Sequence, residues 1–300
     1  MAAASNAGTI EADNAAADAA RDARDEVLKR ATKTATPPVA TSKVAVTKAE
    51  RWDEFQIDVW LTNFNSVEFG FFRKDRNKAK SRQFTSDMDI FAEVTENGER
   101  TGLLGYREEL WTKSTGMDKR LVFKLFGEKL NWHATMDLML GRSLQLTLGA
   151  HGTPVMAYSI NTNDHTQMVY IERSAHKFPL MPEEFSFFLL EDGQLDFYTL
   201  RRDVLAFGKD YTLRDQTGRV VGMLDGHILS LGGKWRGRVL RDHKDKRLLM
   251  VLKLFCGMLP FNNGCRRHVS SLYRAVHAGR LMPKLERQEA DLYMNPRRVR

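Results

Sequence analysis

Between Val204 and Leu254 one pattern occurs twice in succession. Each copy opens on an apolar residue followed by glycine and continues as an alternating strand around one aromatic, Tyr211 in the first and Trp235 in the second. Each then turns at an Arg-Asp pair, Arg214-Asp215 or Arg241-Asp242, and resumes as a second run, ending in the second copy at Lys246 to Leu254. Alternation with a period of two marks strands with one buried face, and its repetition marks hairpins stacked into one larger sheet. This constrains the fold before any other feature does: many short antiparallel strands joined by turns.

The rest of the chain from Trp52 repeats this idiom. Phe55, Ile57, Val59 and Leu61 alternate with Gln56, Asp58, Trp60 and Thr62, and a second strand is expected at Phe69 to Phe72, followed by a basic loop from Arg73 to Arg82. Ile90 to Leu104 carries Asn97-Gly98 between two alternating arms, the strongest short hairpin signal, because both central residues tolerate positive φ. Leu121 to Phe126, Thr135 to Leu140, Leu144 to Leu148, Val155 to Ile160, Met168 to Ile171, Phe185 to Leu190 and Leu195 to Leu200 read as further strands, punctuated by Gly and Pro. After Pro260, Val269, Leu272, Tyr273 and Val276 fall at helical spacing, Gly279 suits a C-cap, and a last short helix is expected from Lys284 to Tyr293. The fold class is therefore mainly β, an antiparallel barrel or strongly curved sheet, with a helical C-terminus. Residues 1–50, rich in Ala, Thr, Asp and Lys and free of aromatics, bury too little apolar surface to offset their ordering entropy and read as a disordered tail. The expected division is 1–50 tail, 51–260 β domain and 261–300 helical extension.

Net charge is +8, which favours acidic partners: anionic lipid, an acidic protein surface or nucleic acid. The charge is concentrated. Lys234 to Arg247 holds seven basic residues against two acidic, and Cys265 to Arg300 holds nine against three. Lys234, Arg236 and Arg238 alternate, so a strand places all three on one face, with Trp235 turned to the core. Arg241, Lys244, Lys246 and Arg247 extend the positive field around the next turn. Such a stripe suits phosphate, with Lys as point charge and Arg as bidentate donor. It equally suits an exposed strand whose charges block edge-to-edge aggregation.

Catalytic patterns are missing. No G-x-S-x-G, P-loop, H-E-x-x-H or G-x-G-x-x-G occurs. Asp242-His243 lies in an expected turn, and Glu183 and Glu184, being adjacent in an extended segment, point to opposite sides. The two cysteines, Cys256 and Cys265, form neither a disulfide framework nor a metal-ligand pair and read as buried or inert thiols. The expectation is a non-enzymatic protein with no metal and no cofactor. With no apolar leader, and with Leu248 to Phe261 interrupted by Lys253 and Pro260, no transmembrane segment is expected, and the location is cytoplasmic or peripheral at a membrane.

The residues Phe207-Gly-Lys-Asp-Tyr-Thr-Leu-Arg-Asp-Gln-Thr-Gly218, the bridge Leu224-Asp-Gly-His-Ile-Leu-Ser-Leu-Gly232 and the run from Lys246 to Leu254 together resemble the tubby C-terminal-like barrel superfamily, in its LURP-one-related branch, which shares its fold with phospholipid scramblases. The resemblance implies a closed, twelve-stranded antiparallel barrel around a hydrophobic helix, and a role at membrane phospholipids. It implies docking of anionic phospholipid through the basic stripe. A structural or adaptor subunit, gripping a protein partner through residues 1–50 and 265–300, is the alternative; nucleic-acid binding comes third, because no recognition helix or aromatic-basic strand motif accompanies the charge. The plugging helix has two candidates. Val269 to Val276 follows Arg266 and Arg267 and includes Arg274, whose unpaired burial is costly. Leu248 to Leu259 aligns with a strand of the repeat as far as Leu254. The expectation is that no buried central helix forms in the C-terminal region, and that Arg266 to Arg280 packs outside the sheet on one face.

Overall fold

The structure is a computed structural model and describes residues 52–59, 83–85, 87–163, 167–175, 181–191, 193–203, 210–227, 233–243 and 245–294. The expected tail, the strand at 69–72 and the loop at 73–82 lie outside these residues.

Twelve strands form one closed antiparallel barrel. They are β1 (Trp52–Val59), β2 (Met88–Glu96), β3 (Glu99–Arg107), β4 (Val122–Gly127), β5 (Trp132–Leu138), β6 (Ala157–Thr162), β7 (Val169–Arg173), β8 (Glu184–Glu191), β9 (Gln194–Arg202), β10 (Tyr211–Asp215), β11 (Val220–His227) and β12 (Lys234–Leu240). Neighbours in sequence are neighbours in the ring, and β12 closes it against β1, from Trp52 opposite Leu240 to Asp58 opposite Lys234. Closure leaves no edge strand among them. The antiparallel barrel expected from the alternation is the fold.

Because every connection reverses direction, the two rims differ. One rim carries short turns. Asn97 (φ 54°) and Gly98 (φ 83°) join β2 to β3 in the two-residue hairpin that their sequence signals. At the β10–β11 turn, Asp215 Oδ1 accepts from the backbone N–H of Thr217 and of Arg219, so the carboxylate holds the turn. The other rim carries the long connections, including α1 (Glu108–Thr112) between β3 and β4 and α2 (Leu140–Gly149) between β5 and β6.

Helix α3 (Lys246–His277) starts at the hairpin rim directly after β12 and a short 3-10 turn, Arg241–His243. Asp245 caps it, its side chain accepting from Arg247 N at 2.7 Å. From Leu248 to Leu259 the helix is buried on nearly every side. Phe255 meets Phe185 of β8 and Tyr211 of β10, while Phe261 meets Phe91, Tyr106 and Phe123 of β2, β3 and β4 on the opposite wall. The helix therefore runs through the barrel. Arg247 touches the last residues of β8 and Asn262 bonds Glu183, just before its first. A helix advances about 22 Å between these two residues, and β8 from Glu184 to Glu191 spans about 23 Å, so the two agree.

This corrects three expectations. A central helix exists, and it is the run 248–259 that was expected to be strand as far as Leu254. Its apolar residues cover every side, not alternate positions, and once β12 pairs with β1 no edge remains for another strand. Only a helix satisfies its own N–H and C=O groups inside a closed ring. Pro260 sits within the helix without ending it, so the division expected at residue 260 falls inside one continuous element. Residues beyond the ring do not lie on the sheet's face: Val269 and Leu272 are buried in the same core as the barrel interior, and α3 packs there on α2, with Arg267 and Arg274 turned outwards. The expected strand at 144–148 is likewise helix. Leu140, Ser143, Leu144 and Thr147 form the buried face of α2, and the alternating leucines that suggested a strand part company on it: Leu144 is in the core, Leu146 packs towards Met139, Ala157 and Leu292, and Leu148 is 40% exposed.

By length and composition α3 is apolar enough to cross a membrane, and in the structure 67% of its most apolar stretch is buried within the protein. After Gly279 (φ 66°) ends the helix, residues 280–286 cross the loop rim, and α4 (Arg287–Met294) descends the outer wall. The Glu289 carboxylate accepts from the N–H of Gly141 and Arg142 at the start of α2, and Leu292 packs on Met139 and Ala157.

Candidate functional site

Alternation in β12 turns Trp235 and Val239 inwards and leaves Lys234, Arg236 and Arg238 on the outer wall. Gly237 also faces inwards, because the Phe55 ring of β1 lies across it; a Cβ there would stand 2.1 Å from that ring. The four cations of this face do not stand free. Lys234 pairs with Asp58 at 3.5 Å, Arg236 with Glu54 at 2.5 Å, Arg238 with Asp225 at 3.1 Å and Arg241 with Asp53 at 3.1 Å. Three of those carboxylates come from β1: Glu54 and Asp58 stand opposite Arg238 and Lys234, and Asp53, opposite Val239, meets Arg241 just past the end of β12. In three of the four pairs the sequence separates the partners by more than 170 positions, so the basic run is visible along the chain and most of its neutralisation is not.

Arg247 is no part of that face. It is 4% exposed and bonds the Asp245 carboxylate, Leu190 O at 2.6 Å and Glu191. It anchors the first turn of α3 to the end of β8. Lys246 lies in the same turn and is exposed, and Lys244 lies outside the described residues. Of the seven residues read from sequence, four are thus paired surface cations, Lys246 is exposed, Arg247 is a buried structural arginine and Lys244 lies outside the described residues.

A second charged cluster sits where α3 leaves the ring. Arg173 and Glu183 pair at 2.8 Å, each side chain 10% exposed. The Glu183 carboxylate also accepts from Tyr211 Oη at 2.9 Å and Asn262 Nδ2 at 3.1 Å, and Arg173 Nη1 donates to Pro154 O. Burial alone would raise the Glu183 carboxyl; the Asn262 amide, the Arg173 charge and the Tyr211 hydroxyl together outweigh it and hold the group below its ordinary range. This knot ties β7, β8, β10 and α3 at one point. The expectation that Glu183 and Glu184 diverge describes their placement, but Glu183 gave no further signal in sequence, since its partners Arg173, Tyr211 and Asn262 lie on three different elements.

Both cysteines are free and buried, and burial pushes the Cys265 thiol up to about 12 and that of Cys256 higher still. Among the described residues no group of three or more His, Cys, Asp or Glu side chains is placed to hold a metal ion. Asp242, adjacent to His243, is engaged by Arg219 at 3.2 Å, and His243 lies beside Tyr198 Oη and Asp215. Comparison with protein-family models, with curated proteins and with solved structures returned no match.

Proposed function

We propose that the chain is a non-enzymatic binding protein of the tubby and LURP-one type that docks on anionic phospholipid through the outer face of β12. The observation that carries this reading is the filled barrel. With α3 occupying the ring, binding belongs to the outer wall, where Lys234, Arg236, Arg238 and Arg241 form a row of cations. A closed twelve-stranded barrel around a helix is also the architecture that the resemblance at residues 204–254 implies. The paired carboxylates set the strength. Exposed ion pairs contribute about 0–1 kcal/mol each, and a cation near an acidic membrane contributes on the order of 1 kcal/mol. A dense phosphate surface can therefore exchange with Glu54, Asp58 and Asp225, but the net gain is small and salt-sensitive. The test is co-sedimentation with phosphatidylcholine vesicles, with and without phosphatidylserine, at low and high salt. Binding to anionic vesicles alone, lost at high salt, is expected; equal binding to both, or to neither, removes the proposal.

One observation favours an adaptor as the second reading. Phe188 and Phe197, directly opposite on β8 and β9 with centroids 5.8 Å apart, are 38% and 49% exposed, and Leu195 beside them is 44% exposed. Clustered exposed aromatics of this kind mark protein contacts. Stoichiometric capture of one partner by the full chain, abolished by Phe197→Ser, supports it; capture unaffected by that change rejects it.

A further inference from the structure

A cavity of about 340 Å³ opens on the outer wall over β4, β5 and β6, beneath the segment that leads from α3 into α4. Its floor is set by strand alternation: Lys124, Thr135, Asp137, Ser159 and Asn161 all turn outwards into it. Apolar side chains, Met117, Val122, Met168 and Leu292, make up much of the remaining wall. The lining mixes these apolar groups with polar and charged ones, and a concave space of this size suits a small molecule that carries both an apolar part and a charge.

Most charged groups of the lining already have a partner, either within it or just outside it. Asp137 accepts from Arg120 at 2.5 Å, and Glu286 lies 3.7 Å from the same guanidinium. Glu289 is held by the backbone of α2. Arg107 pairs with Asp87, Lys284 with Asp118, and Lys119 sits over the Trp111 ring. Asp291 adds one more carboxylate to the lining, and Lys124 differs from all the groups above. It is 7% exposed, and its ammonium donates to two neutral acceptors, Gln83 O and Gln83 Oε1, both at 2.8 Å. Among the described residues no carboxylate stands within ion-pair distance of it. Asp87 and Asp137 act on it only at longer range; a buried ammonium with no contacting counter-charge is costly, and an anion seated in the adjoining space would lower that cost.

We infer that this cavity binds a small organic anion, a carboxylate or a phosphate monoester, whose charged end meets Lys124 and whose apolar part lies against Met117, Val122 and Met168. The volume excludes a two-chain lipid, so the site is separate from the β12 face. Burial, and next the positive field of Arg107, lower the Lys124 ammonium to about 8; an anion beside it raises that value again. The sequence carried a trace of the site. Lys124 interrupts the run Leu121-Val-Phe-Lys-Leu-Phe126, which is otherwise wholly apolar.

The test uses the full chain and three probes: inorganic phosphate, phenyl phosphate and hexanoate, titrated by calorimetry. Saturable binding of at least one is expected, with phenyl phosphate against hexanoate deciding between phosphate and carboxylate, and inorganic phosphate showing whether the apolar part matters. Lys124→Gln and Lys124→Met should weaken it at least tenfold, while Arg236→Gln on the β12 face leaves it unchanged. A second measurement needs no variant. At pH 8, acetic anhydride should modify Lys124 several-fold more slowly under the saturating probe, with exposed Lys113 as the internal control. The inference is overturned if no probe saturates, if Lys124→Gln binds as the wild type does, or if Lys124 is not protected. Vesicle binding through β12 can succeed or fail independently of each of these results.

Discussion

The two charged regions of this barrel, the outer face of β12 and the Glu183 knot inside the loop rim, use the same chemistry for opposite ends. On β12, four ion pairs stand in water between neighbouring strands, each side chain between about one-fifth and one-half exposed. At the knot, one pair is nearly sealed and every further contact is a hydrogen bond to a different element. Screening by water makes the first set weak and exchangeable, available for another anion. Burial makes the second a fixed lock, because either partner alone would be an uncompensated charge. The lesson is that function can be sought in the exposed pairs and register in the buried one.

The contrast breaks first at the knot. Glu183→Ala leaves Arg173 buried without its carboxylate and is expected to cost about 3–5 kcal/mol in urea unfolding. Adding Arg173→Met should recover much of that loss, and a double variant no better than Glu183→Ala would show that the pair is not a unit. The same lock has a pH signature. A carboxyl held below its unfolded value, near 4.3, contributes stability that is complete above that value and is lost as pH falls through the folded one. Wild-type stability should thus drop on acidification below about pH 4, and Glu183→Gln should flatten that limb; an unchanged slope would argue against it.

A smaller effect separates the two faces of β12 itself. Gly237→Ala forces a methyl against the Phe55 ring and is expected to cost about 1–3 kcal/mol by overpacking, read as a lowered Tm. The smallest stability change, and the sharpest test of exchangeability, comes from the outer face. Glu54→Gln with Asp58→Asn should alter stability by no more than about 1 kcal/mol while strengthening binding to anionic vesicles about tenfold. Unchanged vesicle binding would mean that these cations serve the sheet alone.

How much of this could be read along the chain depended on the range of the interaction. The Asn97-Gly98 hairpin, the alternation that turns Trp235 inwards and the C-cap at Gly279 each rest on neighbours within a few residues, and each was legible. The helices at 140–149 and 246–259 were not. Leu144-Gln-Leu-Thr-Leu148 fits either a strand or a helix, and the packing of α2 on α3 decides. The run after Asp245 continued a strand repeat on paper, yet the ring was already closed.

At the candidate sites the divide is the same. Lys234, Arg236 and Arg238 shared a face by local geometry, but Glu54, Asp58 and Asp225 reach them only through strand pairing. Lys124 was not singled out in its apolar strand, and its cavity needs α4 folded back from the far end of the chain. By itself, the sequence determined an antiparallel β fold with a basic strand, because side-chain alternation and turn chemistry act over two to four residues. Only the tertiary structure decided that the last apolar run becomes the helix within, and which charges are spent. Both depend on ring closure, which brings the first strand beside the last and leaves the interior to be filled.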